Sequence, residues 1–143
     1  MALRNYRDLD AWKRAMDLVE TLYSLTKGFP EEEKYGLKAQ IRRAAVSVPS
    51  NIAEGQARGT ARFGLHFIRV AIGSIAELDT QLQLSQRLHF VHADTVREAD
   101  VQIDRVRRLL YGMRREHEGR LAAGGAALVS LCGIAFLTMR LLS

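Results

Sequence analysis

Apolar residues recur along most of this chain at alternating steps of three and four, the spacing that places side chains on one face of an α-helix. The first segment with this spacing carries Leu9, Trp12, Met16, Val19 and Tyr23. Gly28 and Pro30 follow it and are typical of the end of a helix. The pattern predicts a first helix over about residues 9–27, with Asp8 as its N-cap.

The second segment begins near Pro30, where three glutamates follow a proline as they often do at a helix start. Tyr35 and Gly36 are expected to interrupt this start. Beyond them the apolar positions are Leu37, Ile41, Ala44, Ala45, Val48 and Ile52. Pro49 lies inside the pattern and removes one helical hydrogen bond, so we predict one kinked helix that reaches about Arg58.

The third segment, residues 63–88 with Thr60 as N-cap, has two apolar stripes. One stripe consists of Phe63, Phe67, Val70, Ala71, Ser74 and Leu78, and the other of Leu65, Ile68, Ile72 and Ile75. Together they cover roughly 220° of the helix, whereas a surface helix needs about 100° to cover one core. Either this helix lies centrally within its own subunit, or the second stripe contacts another subunit. We favour the second explanation, which predicts an oligomer interface at Leu65, Ile68, Ile72 and Ile75.

The fourth segment repeats the same spacing after Asp94, its expected N-cap. Its apolar positions are Val96, Ala99, Ile103, Val106, Leu110 and Met113. On its outer side Asp104 and Arg108 are four residues apart, in the order that stabilises an exposed helix. Four helices with short connections predict an all-α fold, an antiparallel up-down four-helix bundle over residues 1–118.

The remaining residues, 119–143, form a hydrophobic C-terminal tail. The run from Leu121 to Met139 is uncharged and just long enough to span a membrane. Small residues recur along it at four-residue steps, as they do where membrane helices pack together. Glycines such as Gly124 and Gly125 weaken a helix in water. A membrane helix that tethers the bundle to the inner face of the membrane and a soluble oligomerisation helix or incidental extension remain open alternatives.

The whole-chain composition suits one soluble domain. The length of 143 residues is near that of a single domain, and 21 basic against 16 acidic residues give a modest net charge of +5. The single cysteine, Cys132, has no intrachain partner for a disulfide, and the N-terminal residues lack the apolar stretch of a secretory signal. A cytoplasmic location is expected.

The residues that carry chemistry are few. His89 and His92 lie three apart in a predicted turn, but a zinc site needs three or four ligands, so exposed loop histidines are expected. The sequence contains neither a glycine-rich phosphate loop nor a nucleophile turn. We therefore predict that the protein is not an enzyme and takes no metal, cofactor or small-molecule substrate.

A polar stripe runs beside the apolar one on the second helix. We interpret it, together with a residue of the third helix, as a structural polar layer made of Arg43, Ser47, Asn51, Glu54 and Glu77, in which Glu77 pairs with Arg43. The alternative is a binding pocket. The structural interpretation is favoured because the stripe has neither a cluster of one charge sign nor a nucleophile beside a base.

The surface cations raise the possibility of a nucleic-acid partner. The candidate contacts to RNA or DNA are Lys38, Arg42, Arg58, Arg62, Arg69, Arg105 and Arg108. Binding of this kind would be directed to phosphates and sensitive to salt, and the alternative is that the charges are simply solvated. Aromatic residues for base stacking are not evident, since Phe63 and Phe67 lie on an apolar stripe.

Several short stretches resemble a known family. They are Tyr6-Arg7-Asp8-Leu9 with Trp12, Ser47-Val48-Pro49-Ser50-Asn51-Ile52-Ala53-Glu54-Gly55 on the second helix and Ala71-Ile72-Gly73-Ser74-Ile75-Ala76-Glu77-Leu78 on the third. Over about residues 6–113 the chain resembles the small bacterial four-helix-bundle proteins related to those encoded in 23S rRNA intervening sequences. The tail after about Arg115 departs from that pattern.

The resemblance implies a bundle that assembles, often as a ring-shaped pentamer, without established enzymatic activity. It also implies a link to nucleic acid, through gene location inside rRNA genes and through related accessory proteins of diversity-generating retroelements. The expected function is that of a homo-oligomeric scaffold or adaptor, with an interface on helix 3 and parts of helix 1 or 4. Direct RNA or DNA binding is the alternative, and membrane tethering is compatible with either.

Overall fold

The computed structural model describes the backbone of residues 5–141 and the side chains of residues 5–125. Its four α-helices are α1 (Asp10–Leu25), α2 (Leu37–Ala57), α3 (Ala61–Arg87) and α4 (Ala93–Leu141). Short 3-10 turns lie at Tyr6–Asp8, Thr26–Gly28 and Glu31–Lys34, and no strand occurs among the described residues. The prediction of an all-α chain with four helices is confirmed.

Each helix packs against two neighbours. The pairs in contact are α1 with α2, α2 with α3, α3 with α4, and α1 with α4, which closes a four-helix bundle. Short connections between consecutive helices make it an up-down bundle. Large aliphatic side chains such as Leu18, Ile41, Ile75 and Leu110 are almost completely buried at its centre. Burial of each such side chain contributes about 1.5–3 kcal/mol, so this core is the main source of stability.

The starts of α3 and α1 show which of the predicted N-cap residues form a capping hydrogen bond. Thr60 caps α3, because its Oγ1 accepts a hydrogen bond from the Phe63 amide at 3.3 Å, as predicted. The predicted cap at Asp8 is wrong: Asp8 belongs to a 3-10 turn, and Leu9 occupies the cap position of α1 without a side-chain hydrogen bond. A three-residue turn before the helix moves its start beyond the reach of Asp8.

Helix α2 begins after an interruption at the predicted place. The glutamates after Pro30 form the 3-10 turn, and Gly36 then leaves helical geometry with φ −92° and ψ −129°. Glu33 reaches across this break, since its Oε2 accepts a hydrogen bond from the Leu37 amide at 2.7 Å. A carboxylate at this position satisfies one of the free amides of the first turn of α2.

Helix α2 continues through Pro49 as one element, so the prediction of one helix instead of two is confirmed. Side chains next to the proline bond to backbone carbonyls of the preceding turn. Ser50 Oγ donates to the carbonyl of Val46 at 2.8 Å, and Asn51 Nδ2 donates to that of Ser47 at 2.7 Å. These bonds support the turn in which proline lacks an amide.

The apolar stripe predicted to be the core side of α1 is not the buried one. The buried residues are Ala11, Ala15, Leu18 and Leu22, whereas the predicted residues Trp12 and Val19 are half-buried and Met16 and Tyr23 are exposed. Both sets have three-four spacing, so periodicity does not choose between them. Packing chooses the set with two alanines, because small side chains allow α1 to approach its neighbours closely.

The stripe predicted as an oligomer interface on α3 lies inside the subunit. Leu65, Ile68 and Ile75 are buried, and Ile72 packs against the core. The physical reason is that α3 has α2 on one side and α4 on the other, so the second stripe is covered within one chain. These four residues are therefore not part of a free surface of the subunit, whereas Phe63 and Val70 of the first stripe stay exposed.

The C-terminal tail lies partly outside this description. Among the residues that the structure describes, no helix is long and apolar enough to cross a membrane. Most of the run from Leu121 to Met139 falls beyond residue 125, where side chains are not described. The membrane helix, the oligomerisation helix and the boundary at residue 118 stay predictions.

Helices α2 and α3 approach each other closely at Gly55 and Gly64. A Cβ atom added at Gly55 would lie 3.0 Å from the Cβ of Phe67 and 3.5 Å from the Cα of Gly64. Since these atoms belong to or adjoin the backbone of α3, they cannot move without the helix. By contrast, a Cβ atom at Gly73 on the exposed side of α3 would meet nothing within 4 Å.

We expect Gly55→Ala to destabilise the bundle by about 1 kcal/mol, because overpacking outweighs the gain in helix propensity. The control Gly73→Ala should stabilise it by about 0.5–1 kcal/mol, since only the propensity changes. Urea denaturation followed by circular dichroism measures both. Equal stabilisation by the two substitutions would show that α2 and α3 can separate freely at this point.

His117 of α4 packs against α3 where α3 begins. Its ring occupies the space that a side chain at Gly64 would fill, and its Nδ1 is buried without a hydrogen-bond partner in the described part of the chain. Burial lowers the pKa of His117, and the nearby positive charge of Arg120 lowers it further, while Glu116 raises it. The neutral imidazole is therefore the form that the bundle accommodates.

A lowered pKa in the folded state means that the unfolded chain binds the proton more readily. The stabilisation is complete above the ordinary histidine pKa of about 6.5 and declines as the pH falls below it. We expect the free energy of unfolding to be smaller at pH 5.5 than at pH 7.5. Urea titrations at both pH values should show a smaller difference for His117→Gln, and an unchanged difference would assign the effect to other groups.

Candidate functional site

A chain of polar side chains connects α2 and α3 at mid-height. Asn51 Nδ2 donates to Ser47 Oγ at 3.0 Å, Ser47 Oγ lies 2.8 Å from Ser74 Oγ, and Ser74 Oγ donates to the Val70 carbonyl at 3.2 Å. With Asn51 and Ser74 acting as donors to these acceptors, Ser47 donates to Ser74. Each hydroxyl thus has both a donor and an acceptor, as a stable buried polar group requires.

This series of hydrogen bonds includes Ser47 and Asn51, two of the five residues of the predicted polar layer. The expected pair between Arg43 and Glu77 does not form, because Arg43 is exposed beside buried Ala44 and Glu77 accepts a hydrogen bond from Gln81 at 2.8 Å. Glu54 pairs with Arg58 at 2.8 Å within α2. Sequence reasoning missed Ser74 as a member, although its position on an apolar stripe marked it as a buried hydroxyl in need of a partner.

If the hydrogen bonds between α2 and α3 have a structural role, Ser47→Ala and Ser74→Ala should each destabilise the bundle by about 1 kcal/mol. This is the usual cost of losing one hydrogen bond while its partner stays buried. The double substitution should cost less than the sum, because neither hydroxyl then lacks its partner. Urea denaturation of all four proteins measures this coupling. Additive losses would argue against a direct bond between the two serines.

The seven candidate nucleic-acid contacts do not form one continuous patch. Arg58 lies over the rings of Phe63 and Phe67, with 5.4 Å to each ring centroid, and Arg69 pairs with Glu118 at 3.3 Å. The others outside the N-terminal part of α2 are dispersed over α3 and α4: Arg62, Arg105 and Arg108. Of the seven, Lys38 and Arg42 line the same cleft.

Lys38 and Arg42 line an open cleft of about 480 Å³ at the start of α2. The residues around this cleft, which we call the basic cleft, are Glu31, Lys34, Lys38, Ala39, Arg42 and Arg43. The sequence pattern assigns Arg43 to the structural polar layer and does not mark Lys34 as a candidate contact to nucleic acid. Four cations therefore surround one carboxylate.

The cations of the basic cleft are poorly neutralised. Lys34 lies 3.7 Å from Glu31. Arg42 donates from Nε to the hydroxyl of Thr26 at 2.9 Å and from Nη2 to the carbonyl of Tyr23 at 3.3 Å, both uncharged acceptors. Within the described part of the chain, no carboxylate lies within 4.0 Å of the charged groups of Lys38, Arg42 or Arg43.

The two histidines predicted to lie in a turn between the third and fourth helices are exposed. His89 and His92 are both exposed at the connection between α3 and α4. Among the described residues, no group of histidine, cysteine and carboxylate side chains is arranged to hold a metal ion. Cys132 lies beyond the residues whose side chains are described.

A second surface consists of apolar side chains that the core buries only in part or leaves exposed. On α1 the residues Trp12, Met16, Val19 and Tyr23 follow one another at steps of four, three and four, and Val46 of α2 lies one turn beyond Arg42, whose guanidinium stacks on Tyr23 at 4.5 Å. Met16, Tyr23 and Val46 are 37%, 40% and 40% exposed. We call these five residues the α1–α2 apolar surface.

Comparison with known proteins places the fold in a family. The family model described as 23S rRNA-intervening sequence protein matches residues 7–112, from the turn before α1 to the middle of α4. The chain belongs to this family. The match includes the basic cleft, the hydrogen-bonded residues Ser47, Asn51 and Ser74 between α2 and α3, and the α1–α2 apolar surface. It ends before the hydrophobic tail.

A solved structure of a protein with unknown function from the S23 ribosomal protein family of Bacteroides thetaiotaomicron is similar to this chain. The TM-score is 0.68 at 17% sequence identity, with 73% of this chain and 95% of that chain covered. At this identity the likeness shows that the family bundle is shared. No curated protein sequence matches the chain.

Proposed function

We propose that this family member is a non-enzymatic homo-oligomeric scaffold in which the α1–α2 apolar surface of one subunit contacts another subunit. The observation that carries the proposal is the exposure of Met16, Tyr23 and Val46 on two adjacent helices. Apolar side chains that are grouped on adjacent helices and partly exposed are typical of an interaction site.

The composition of this surface supports the proposal further. Aromatic residues and methionine are enriched at the centres of protein interfaces, and Trp12, Tyr23 and Met16 are of these types. The Trp12 ring is already positioned, since it packs edge-on against Tyr6 with 5.5 Å between ring centroids. A ring that is held before binding loses little conformational entropy when a partner covers it.

The location differs from the one predicted from the pattern alone. Helix 3 was expected to supply the main interface, but its second stripe is buried within the subunit. The same physical argument, that a helix with more apolar surface than its own core covers will bury the rest elsewhere, now applies to α1. If the α1–α2 apolar surface contacts a different surface of the next subunit, the contact is heterologous and closes into a ring when the rotation between subunits permits it. The pentamer implied by the resemblance is the ring we propose.

We expect the purified protein to have a mass in solution several times the 16.1 kDa of one chain. Met16→Glu should shift the protein towards the monomer, because a buried carboxylate without a partner is costly. Size-exclusion chromatography with light scattering at several protein concentrations measures the mass.

The matched control is Val101→Glu, which introduces the same charge at a valine of α4 that is 68% exposed. It should leave the mass unchanged. Dissociation of both variants would indicate a general effect of charge, and a wild-type protein that is monomeric at all concentrations would rule out the proposal.

A further inference from the structure

The basic cleft adjoins the most exposed large aromatic side chain of the described residues. Tyr35 is 84% exposed, and the ammonium group of Lys34, a residue of the cleft, lies 5.6 Å from the centroid of its ring. The ring is not part of the core, and among the described residues only this cation is in ring contact with it. An exposed aromatic ring thus lies beside a cluster of positive charges.

The cleft is organised to hold an anion before any ligand binds. Arg42 is fixed by its two hydrogen bonds and by stacking on Tyr23, so its position does not depend on a ligand. Thr26, which accepts one of these bonds, is itself completely buried and donates to the Leu22 carbonyl at 2.8 Å. A guanidinium held by neutral groups keeps its full charge for an incoming phosphate.

The spacing of the other cations favours the same ligand. Lys38 and Arg42 are four residues apart on α2, where like charges repel each other and destabilise the helix. Arg43 adds a further positive charge to the cleft, and Glu31 is its single carboxylate. An anion that binds between these side chains removes the repulsion, so the cluster is more stable with a ligand than without one.

The geometry points to single-stranded nucleic acid as the ligand, with backbone phosphates in the basic cleft and one base stacked on Tyr35. Phosphate alone would account for the cations but not for the exposed ring. A single strand offers unstacked bases, whereas the bases of a duplex are already stacked on one another. This inference is independent of the proposed scaffold, because Tyr35 and Lys38 lie outside the α1–α2 apolar surface.

The test is fluorescence anisotropy of a labelled ten-nucleotide single strand, as RNA and as DNA, titrated with the full-length protein. Lys38→Ala and Arg43→Ala should each weaken binding several-fold and lower the slope of log affinity against log salt by about 0.7, the contribution of one phosphate contact. Tyr35→Ala should weaken binding about tenfold, and Tyr35→Phe, which keeps the ring, should bind as the wild type does.

The matched control is Arg115→Ala, which removes one exposed positive charge from α4 and should leave the affinity unchanged. Inorganic polyphosphate and uridine monophosphate serve as competitors that separate the two parts of the site. Polyphosphate should bind in a manner sensitive to Lys38→Ala and insensitive to Tyr35→Ala, and the mononucleotide should compete weakly because it makes only one phosphate contact.

Three results would overturn the inference. They are no anisotropy change with wild-type protein at low salt, an equal loss for Arg115→Ala and the cleft variants, and unchanged oligonucleotide affinity in Tyr35→Ala. The last result would reduce the cleft to a phosphate site without base recognition. Circular dichroism of each variant confirms that the bundle is folded, which is expected since the replaced side chains are exposed or half-buried.

Discussion

The close packing of α2 against α3 is the constraint on which the other surfaces depend. Backbones that approach at Gly55 and Gly64 and hydroxyls that pair between Ser47 and Ser74 fix both the distance and the register of these two helices. With α4 on its other side, α3 covers its second apolar stripe within the subunit, whereas Phe63 and Val70 of its first stripe stay exposed. The side chains that we propose for partners, Met16, Tyr23 and Val46, are among those that this core leaves exposed on α1 and on the outer side of α2.

The two candidate surfaces meet at one residue. Arg42 stacks on Tyr23 of the α1–α2 apolar surface and also lines the basic cleft. If subunits assemble through the apolar surface, the cleft of each subunit lies close to the subunit contact, and a ring repeats it around its circumference. Repetition raises the affinity for a polymeric ligand, because a strand held at one cleft is presented to the next at a high effective concentration.

The polar residues of α2 divide into two groups with different roles. Ser47 and Asn51 face α3 and are satisfied within the fold, which suits a part of the architecture. Arg42 and Arg43 retain charge that no carboxylate of the described residues neutralises, which suits a ligand. The general physical rule is that buried polar groups form hydrogen bonds within the protein. Charges without an ion-pair partner lie at the surface, where water or a ligand can contact them.

Much of the fold was predictable from the spacing of residues. The four helices, the break at Tyr35 and Gly36, the continuation through Pro49 and the cap at Thr60 all follow from local chemistry, because hydrogen bonds within a few residues decide them. The cap at Asp8 was predicted wrongly because a 3-10 turn displaced the start of α1. The family could also be inferred from short motifs in α2 and α3.

The candidate sites depended on packing between distant residues. Leu18 and Met16 have equally good helical spacing, so the sequence by itself determined that α1 is amphipathic but not which stripe the bundle would bury. Likewise, the sequence showed cations at Lys34, Lys38 and Arg43, but only the path of the chain around Tyr35 collected them beside an exposed ring. Periodicity is a property of one helix, whereas burial and charge clustering are properties of how helices meet, and tertiary structure decided both.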